Sequence, residues 1–343
     1  MWLQGAAWAV AAVTATSVVL VACAPAPPPG GGTTAGGGAA VTAQQPTRPV
    51  EFVISTAPGG GSDIYARFMQ GIMEKNKLTP QPVTPVNKEG GAGAVAFQYV
   101  FEKKGDMHYI MITLNSFFTT LIVQKLPYQA TDFTPIANLA LDPFYLWVNQ
   151  ESPWKTAQDF IAAARDNEIT VSGTGSKQED EILFLRIQEL AGTKPFKYVP
   201  QSGGGTVASA LAGSQVQATV NNPSEGLSFS SASPPKLRPL CAFTPARPQE
   251  GAFKDLQTCK EQGLDISDYY IMRAVMGPPG LNAGQVRFWT DVFKGVYESS
   301  DWKDFMAKNN LEPDFRTGDE FKKFVADYDK LHREIATKNN WLQ

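Results

Sequence analysis

Histidine is nearly missing. The 343-residue chain holds two, His108 and His332, far apart in sequence. Its three cysteines, Cys23, Cys241 and Cys259, form no zinc-type spacing with each other or with histidine, so no metal ligands are assigned. No G-x-S-x-G nucleophile elbow occurs, and no catalytic residue or cofactor is assigned. The net charge is −3, so there is no basic field to favour nucleic acid or an anionic membrane surface. The long apolar run near the start, Ala6 to Val21, falls short of the about 20 residues of a membrane-spanning helix.

That run and its small-residue flank predict an export signal over residues 1–22. Leu20-Val21-Ala22-Cys23 resembles the bacterial lipobox, which implies cleavage before Cys23 and a lipid on its sulfur. Met1 to Gly5 contains no Lys or Arg, which departs from that pattern; the other reading is an ordinary cleaved signal with an incidental cysteine. Residues 23–47 are rich in Ala, Pro, Gly and Thr, with Val41 the one large apolar side chain, and read as a disordered tether.

From Arg48 onward strand-like and helix-like segments alternate, which indicates an α/β class. The organising stretch runs from Val50 to Arg67. Phe52-Val53-Ile54 suits a buried strand, Pro58-Gly59-Gly60-Gly61 turns the chain, and Ser62 or Asp63 caps a helix facing inward through Ile64, Phe68, Ile72 and Met73. Such a turn aims backbone N–H groups and a positive dipole end outward, suited to a carboxylate as well as a phosphate. The plan recurs at Ile169–Lys177 and, in part, at Val199–Thr206. Further strands are expected at 81–86, Tyr109–Thr113, Val216–Val220 and Leu237–Phe243, with Thr156 and Asp159 forming a capping box. Chain crossings near Asp142-Pro143 and over Tyr269–Met276 divide the body into two lobes: 48–142 with 271–343, and 143–270. After Gly280 the pattern is helical to the end. Two lobes with facing glycine turns predict a clamp around a small ligand.

Ala57-Pro58-Gly59-Gly60-Gly61-Ser62-Asp63-Ile64-Tyr65-Ala66-Arg67 resembles the PGGxxDxxAR signature of the tripartite tricarboxylate transporter substrate-binding proteins, the Bug-type extracytoplasmic receptors. The likeness continues through Asn87-Lys88, Leu126-Pro127-Tyr128, Val199-Pro200, Gly213 to Gln217 and Glu261 to Leu264. The resemblance implies a two-lobed periplasmic-binding-protein fold of type II-like form. It also implies capture of a small di- or tricarboxylate, an acidic amino acid or an aromatic acid, and a permease partner with one large and one small subunit. Carried over by position, it implies ligand contacts at Ala57, Pro58, Gly59, Gly60, Ser62, Asp63, Asn115 and Ser116 in the first lobe. In the second they fall at Thr174, Ser176, Lys177, Gly203, Gly204, Gly205, Thr206 and Asn221. Asn221 stands where the family commonly has Asp, and Gln201 where tyrosine is frequent. The chain is expected to be a monomer outside the cytoplasm, held to a membrane only through Cys23.

Several residues keep two readings. Asp63 is more naturally a cap than an anion contact, and Arg67 an ion-pair partner. Lys177 pairs either with a second ligand carboxylate or with Glu179 to Glu181. Phe117 and Phe118 are either an apolar ligand wall or core. Cys241 and Cys259 are either a disulfide, contributing about 3 kcal/mol by chain entropy, or two buried thiols. Gly91-Ala92-Gly93-Ala94-Val95-Ala96 matches G-x-G-x-x-A, but the next strand ends in Leu114-Asn115 without the acid that a dinucleotide site needs. Other functional classes are an α/β hydrolase or transferase using the same cleft, or a sensor that presents its closed lobes to a signalling partner.

Overall fold

The computed structural model describes residues 42–342. The export signal, Cys23 and most of the tether lie outside them. In chain order the elements are β1 (Val50–Ile54), α1 (Gly61–Lys75), β2 (Val83–Asn87), α2 (Ala94–Phe101), β3 (Tyr109–Thr113), α3 (Ser116–Val123) and β4 (Thr134–Asp142). Then follow β5 (Tyr145–Asn149), α4 (Ala157–Asp166), β6 (Thr170–Thr174), α5 (Glu179–Ala191), β7 (Lys197–Gln201), α6 (Gly204–Ala212), β8 (Ala218–Asn221), α7 (Pro223–Ser230) and β9 (Leu237–Ala242). The chain closes with β10 (Ile271–Gly277), α8 (Ala283–Glu298), α9 (Ser300–Asn309), β11 (Glu312–Thr317) and α10 (Gly318–Lys338).

Two mixed sheets form, one per lobe, in strand orders β11-β4-β10-β3-β1-β2 and β7-β6-β8-β5-β9. In each, a parallel set (β2, β1, β3; β7, β6, β8) meets an antiparallel neighbour that carries a crossing: β10 beside β3, and β5 beside β8. The chain leaves the first sheet at Asp142, enters the second at Tyr145 and returns on β10. The parallel strands therefore end facing a common space, as open α/β sheets require of a ligand site. One apolar core runs through both lobes, from Phe97, Phe117 and Phe133 to Phe144, Phe160 and Leu183. Among the described residues, no helix is long and apolar enough to cross a membrane.

Local chemistry differs from the sequence expectation at several points. Helix α1 is capped by Gly60 without a side-chain bond, because Asp63 turns back to the turn itself. Its buried face is Tyr65, Ala66, Met69, Ile72 and Met73, leaving Ile64 exposed. The helix is rotated because the Tyr65 hydroxyl donates to buried Asp142. The C-terminal segment is not wholly helical: Glu312–Thr317 adds an edge strand beside β4. Phe117 and Phe118 are core, edge-on to each other, with Phe117 edge-on to Phe97 and Phe118 stacked on His332. His332 is buried on the Tyr269 hydroxyl, and burial pulls its ring down to about 4. Cys241 and Cys259 are joined, closing a loop across 18 positions.

The Thr156 hydroxyl accepts from the Asp159 N–H while the Asp159 carboxylate accepts from the Thr156 N–H, completing a capping box on α4. Thr156→Ala is expected to cost about 1 kcal/mol, read as a lower urea midpoint with an unchanged slope.

Candidate functional site

A cleft of about 310 Å³ lies where the two sheets' strand ends face each other. From the first lobe it is lined by the turn after β1, including Pro58, Gly59, Gly60 and Ser62; from the second by Thr174, at the end of β6, and by Ser202 to Thr206 before and within α6. A second compartment of about 300 Å³ adjoins it, sharing Thr56, Ala57, Leu114, Thr174 and Ser202, and is lined further by Ser116 and Gln178.

The turns present what a carboxylate needs. Gly59 adopts φ +81°, which places the chain in the left-handed region that glycine occupies without strain. Its N–H donates to Asp63, which locks the turn. The next N–H groups, of Gly61, Ser62 and Asp63, have no hydrogen-bond partner among the described residues. Across the cleft, the N–H groups of Gly204 and Gly205 at the start of α6 are likewise unpartnered. Two helix N-termini from opposing lobes thus offer free donors to one cavity. Ser62 Oγ is buried and has no partner either.

The expected contact residues divide. Ala57, Pro58, Gly59, Gly60, Ser62, Thr174 and Gly203 to Thr206 line the first compartment, and Ser116 the second. Asp63 lines neither; it accepts from Arg67 and Asn87 as well as Gly59. Burial works against its charge, but those donors hold it below the usual carboxylate range. Asn115 is spent on the crossing strand, its amide bridging Tyr270 O and Met272 N. Ser176 is exposed outside the cleft, and Lys177 turns its backbone N–H toward Glu181. Asn221 donates to Gly204 O and to Glu225, bracing the α6 turn from behind.

Other lining groups went unmarked in the sequence. Arg273, on β10, is 2% exposed and forms an ion pair of 2.6 Å with Asp142 at the end of β4. Burial opposes its charge, but Asp142 outweighs that and holds the guanidinium above its ordinary value. Asn222 bonds Pro143 O and lies 3.4 Å from Arg273 Nη2, so the two chain crossings are tied at the cleft wall. Glu179, Asp180 and Glu225 complete the lining. Glu179 accepts from the N–H of Ser116, so a carboxylate of the second lobe caps α3 of the first. Burial pushes Glu179 up to about 7, Asp180 well above the usual range, and Glu225 upward. The Glu225 carboxylate packs where a Cβ on Gly204 would sit, so any larger residue there must displace it from Asn221 and Asn222. A lone arginine inside the apolar run Ile271–Gly277 was the available signal for the buried pair.

The model of the tripartite tricarboxylate transporter family receptor matches residues 66–340. The chain belongs to this receptor family. It is 28% identical over 304 residues to the UPF0065 protein in the gbd 5'region of Cupriavidus necator, covering 85% of this chain and 88% of that one. The structure of R. palustris Rpa4515 with adipate superposes with a TM-score of 0.77 at 22% identity, over 86% of this chain and 98% of that chain. MatC of Rhodopseudomonas palustris with bound malate gives 0.70 at 21%, over 87% and 98%. These likenesses establish the two-lobed periplasmic-binding-protein fold for the family member described here. It is a family of solute-binding transport receptors, not of enzymes.

Proposed function

We propose that this family member is an extracytoplasmic receptor that captures a small organic carboxylate between its lobes and delivers it to a membrane permease of one large and one small subunit. The observation that carries the reading is the pair of unpartnered helix N-termini, at Gly61–Asp63 and Gly204–Gly205, facing one cavity from opposing lobes. Lobe closure, of residues 48–142 with 271–343 against 143–270, buries the ligand, which leaves chemically unchanged. The relatives solved with adipate and malate support a carboxylate ligand. The lipobox-like Leu20 to Cys23 supports a lipid anchor on Cys23, with residues 23–47 as its tether; the folded body is read as a monomer.

Native mass spectrometry of freshly purified protein is expected to show a retained small acid. Calorimetry with a panel of mono-, di-, tri- and aromatic carboxylates is expected to give at least one saturable binder; failure of every acid overturns the reading. Mass spectrometry of the mature N-terminus is expected to show a diacylglycerol adduct on Cys23, and an unmodified cleaved terminus defeats the anchor.

A further inference from the structure

Arg273 is the basic side chain of the cleft lining, and its N–H donors are only partly used. Nε and Nη2 both donate to Asp142 Oδ2, at 3.0 and 2.6 Å, and Nη2 also reaches Asn222 Oδ1 at 3.4 Å. Nη1 has no hydrogen-bond partner among the described residues. The group is held in place by its neighbours as well as by these bonds. Its Cζ lies 4.5 Å from the centre of the Tyr65 ring. It also sits close under the start of α1: a Cβ on Gly61 would lie 2.9 Å from Nη2 and 3.5 Å from Nη1. Glycine at this position is what lets the guanidinium reach the helix end.

The unused Nη1 is therefore a neighbour of the free N–H groups of Gly61, Ser62 and Asp63. Independently, Ser62 Oγ lines the same cavity, is 1% exposed and has no partner. Guanidinium, helix amides and hydroxyl all lack an acceptor on the same side of the cavity, and one carboxylate supplies oxygens for them. Bonds to an ionised acceptor are the stronger kind, and an unused buried donor is costly. Asp142 keeps the guanidinium charged despite its burial. Burial also pushes Glu179, Asp180 and Glu225 toward their protonated forms, so these lining acids do not compete with a bound anion for it.

We propose that Arg273 is a ligand-binding residue of this receptor: its Nη1 donates to a carboxylate oxygen of the bound acid, which also accepts from the α1 amides and Ser62, while Asp142 holds the other edge of the guanidinium still. This rests on the carboxylate-receptor reading above and deepens it. Backbone turns alone do not then read the ligand's charge. A side chain that ties the two chain crossings together reads it as well.

Calorimetry on the purified full chain tests this with succinate, glutarate, citrate and benzoate at pH 6, below the value of about 7 that burial gives Glu179. The double variant Asp142→Asn with Arg273→Met removes the pair without stranding a charge. It is expected to weaken the tightest of these acids by at least about tenfold. Arg273→Lys keeps a cation for Asp142 but has no second edge, and is expected to weaken the same acid by about tenfold. Thermal melts confirm that each variant folds. A crystal structure with that acid bound is expected to place one of its oxygens within hydrogen-bond distance of Arg273 Nη1, a contact that a merely structural role does not require. A weakening below about threefold in both variants, or a nearest ligand oxygen beyond about 4 Å from Nη1, overturns the assignment and leaves the carboxylate receptor standing. Binding of none of these acids, nor of the wider panel, by the unsubstituted protein overturns both.

Discussion

Arg273→Met is expected to destabilise the ligand-free protein by about 3–5 kcal/mol. Asp142 and Arg273 are 0% and 2% exposed, and the arginine gives Asp142 Oδ2 two bonds, at 3.0 and 2.6 Å. Without it only the Tyr65 hydroxyl, at 2.8 Å, remains on that oxygen. Asp142 Oδ1 has no partner even in the intact protein. The variant therefore strands a buried carboxylate at the point where both crossings meet. Urea denaturation with a shared slope measures the loss directly. The double variant Asp142→Asn with Arg273→Met removes both charges and is expected to recover at least half of it. A loss below about 1 kcal/mol in the single variant contradicts this account.

The second large effect is in pH. Glu179 sits at about 7 in the folded state against an ordinary 4.5. Between those values the folded state holds the proton that the unfolded chain has released. Stability contributed by the protonated acid is thus present below about pH 4.5 and is lost as pH rises through about 7. The full span is worth about 3 kcal/mol. Asp180 and Glu225 are shifted in the same direction. Asp63 acts oppositely, since its depressed carboxyl loses stabilisation as pH falls. The ligand-free protein is accordingly expected to be most stable in mildly acidic buffer and to lose melting temperature toward pH 8. Glu179→Gln is expected to flatten that decline and to gain stability at pH 8. Parallel melting curves for the two proteins from pH 5 to 8 defeat the assignment.

Much of the frame was legible because its signals are local. Phe52-Val53-Ile54 followed by Pro58 and three glycines has few structural meanings, and the same grammar marks the end of β6. The capping box at Thr156 is written in adjacent residues. What escaped depended on distant partners. Ile64 looked inward by spacing, but the buried Tyr65–Asp142 bond turns the helix, and Asp142 lies 77 positions away. In the sequence Glu179 and Asp180 stood out only as partners for Lys177. Glu179 is met by Ser116 of the opposing lobe, and Asp180 packs against Gly173 and the neighbouring Tyr198 of its own lobe, contacts that no local pattern records. Lys177 drew attention as the cation of its loop, yet the cation in the cleft is Arg273, brought there by the return strand. The edge strand Glu312–Thr317 is polar and contains Pro313, so its pairing with β4 left no alternation to detect.

The covalent tie between Cys241 and Cys259 has a bearing on how this molecule is made. Cys241 lies on β9, and Cys259 belongs to the segment that carries the chain toward β10. The bridge therefore ties the outer margin of one sheet to the stretch that leads back to the other. Protein manufactured in a reducing cytosol lacks that tie during biogenesis, so secretion into an oxidising compartment is the production route that matches the architecture.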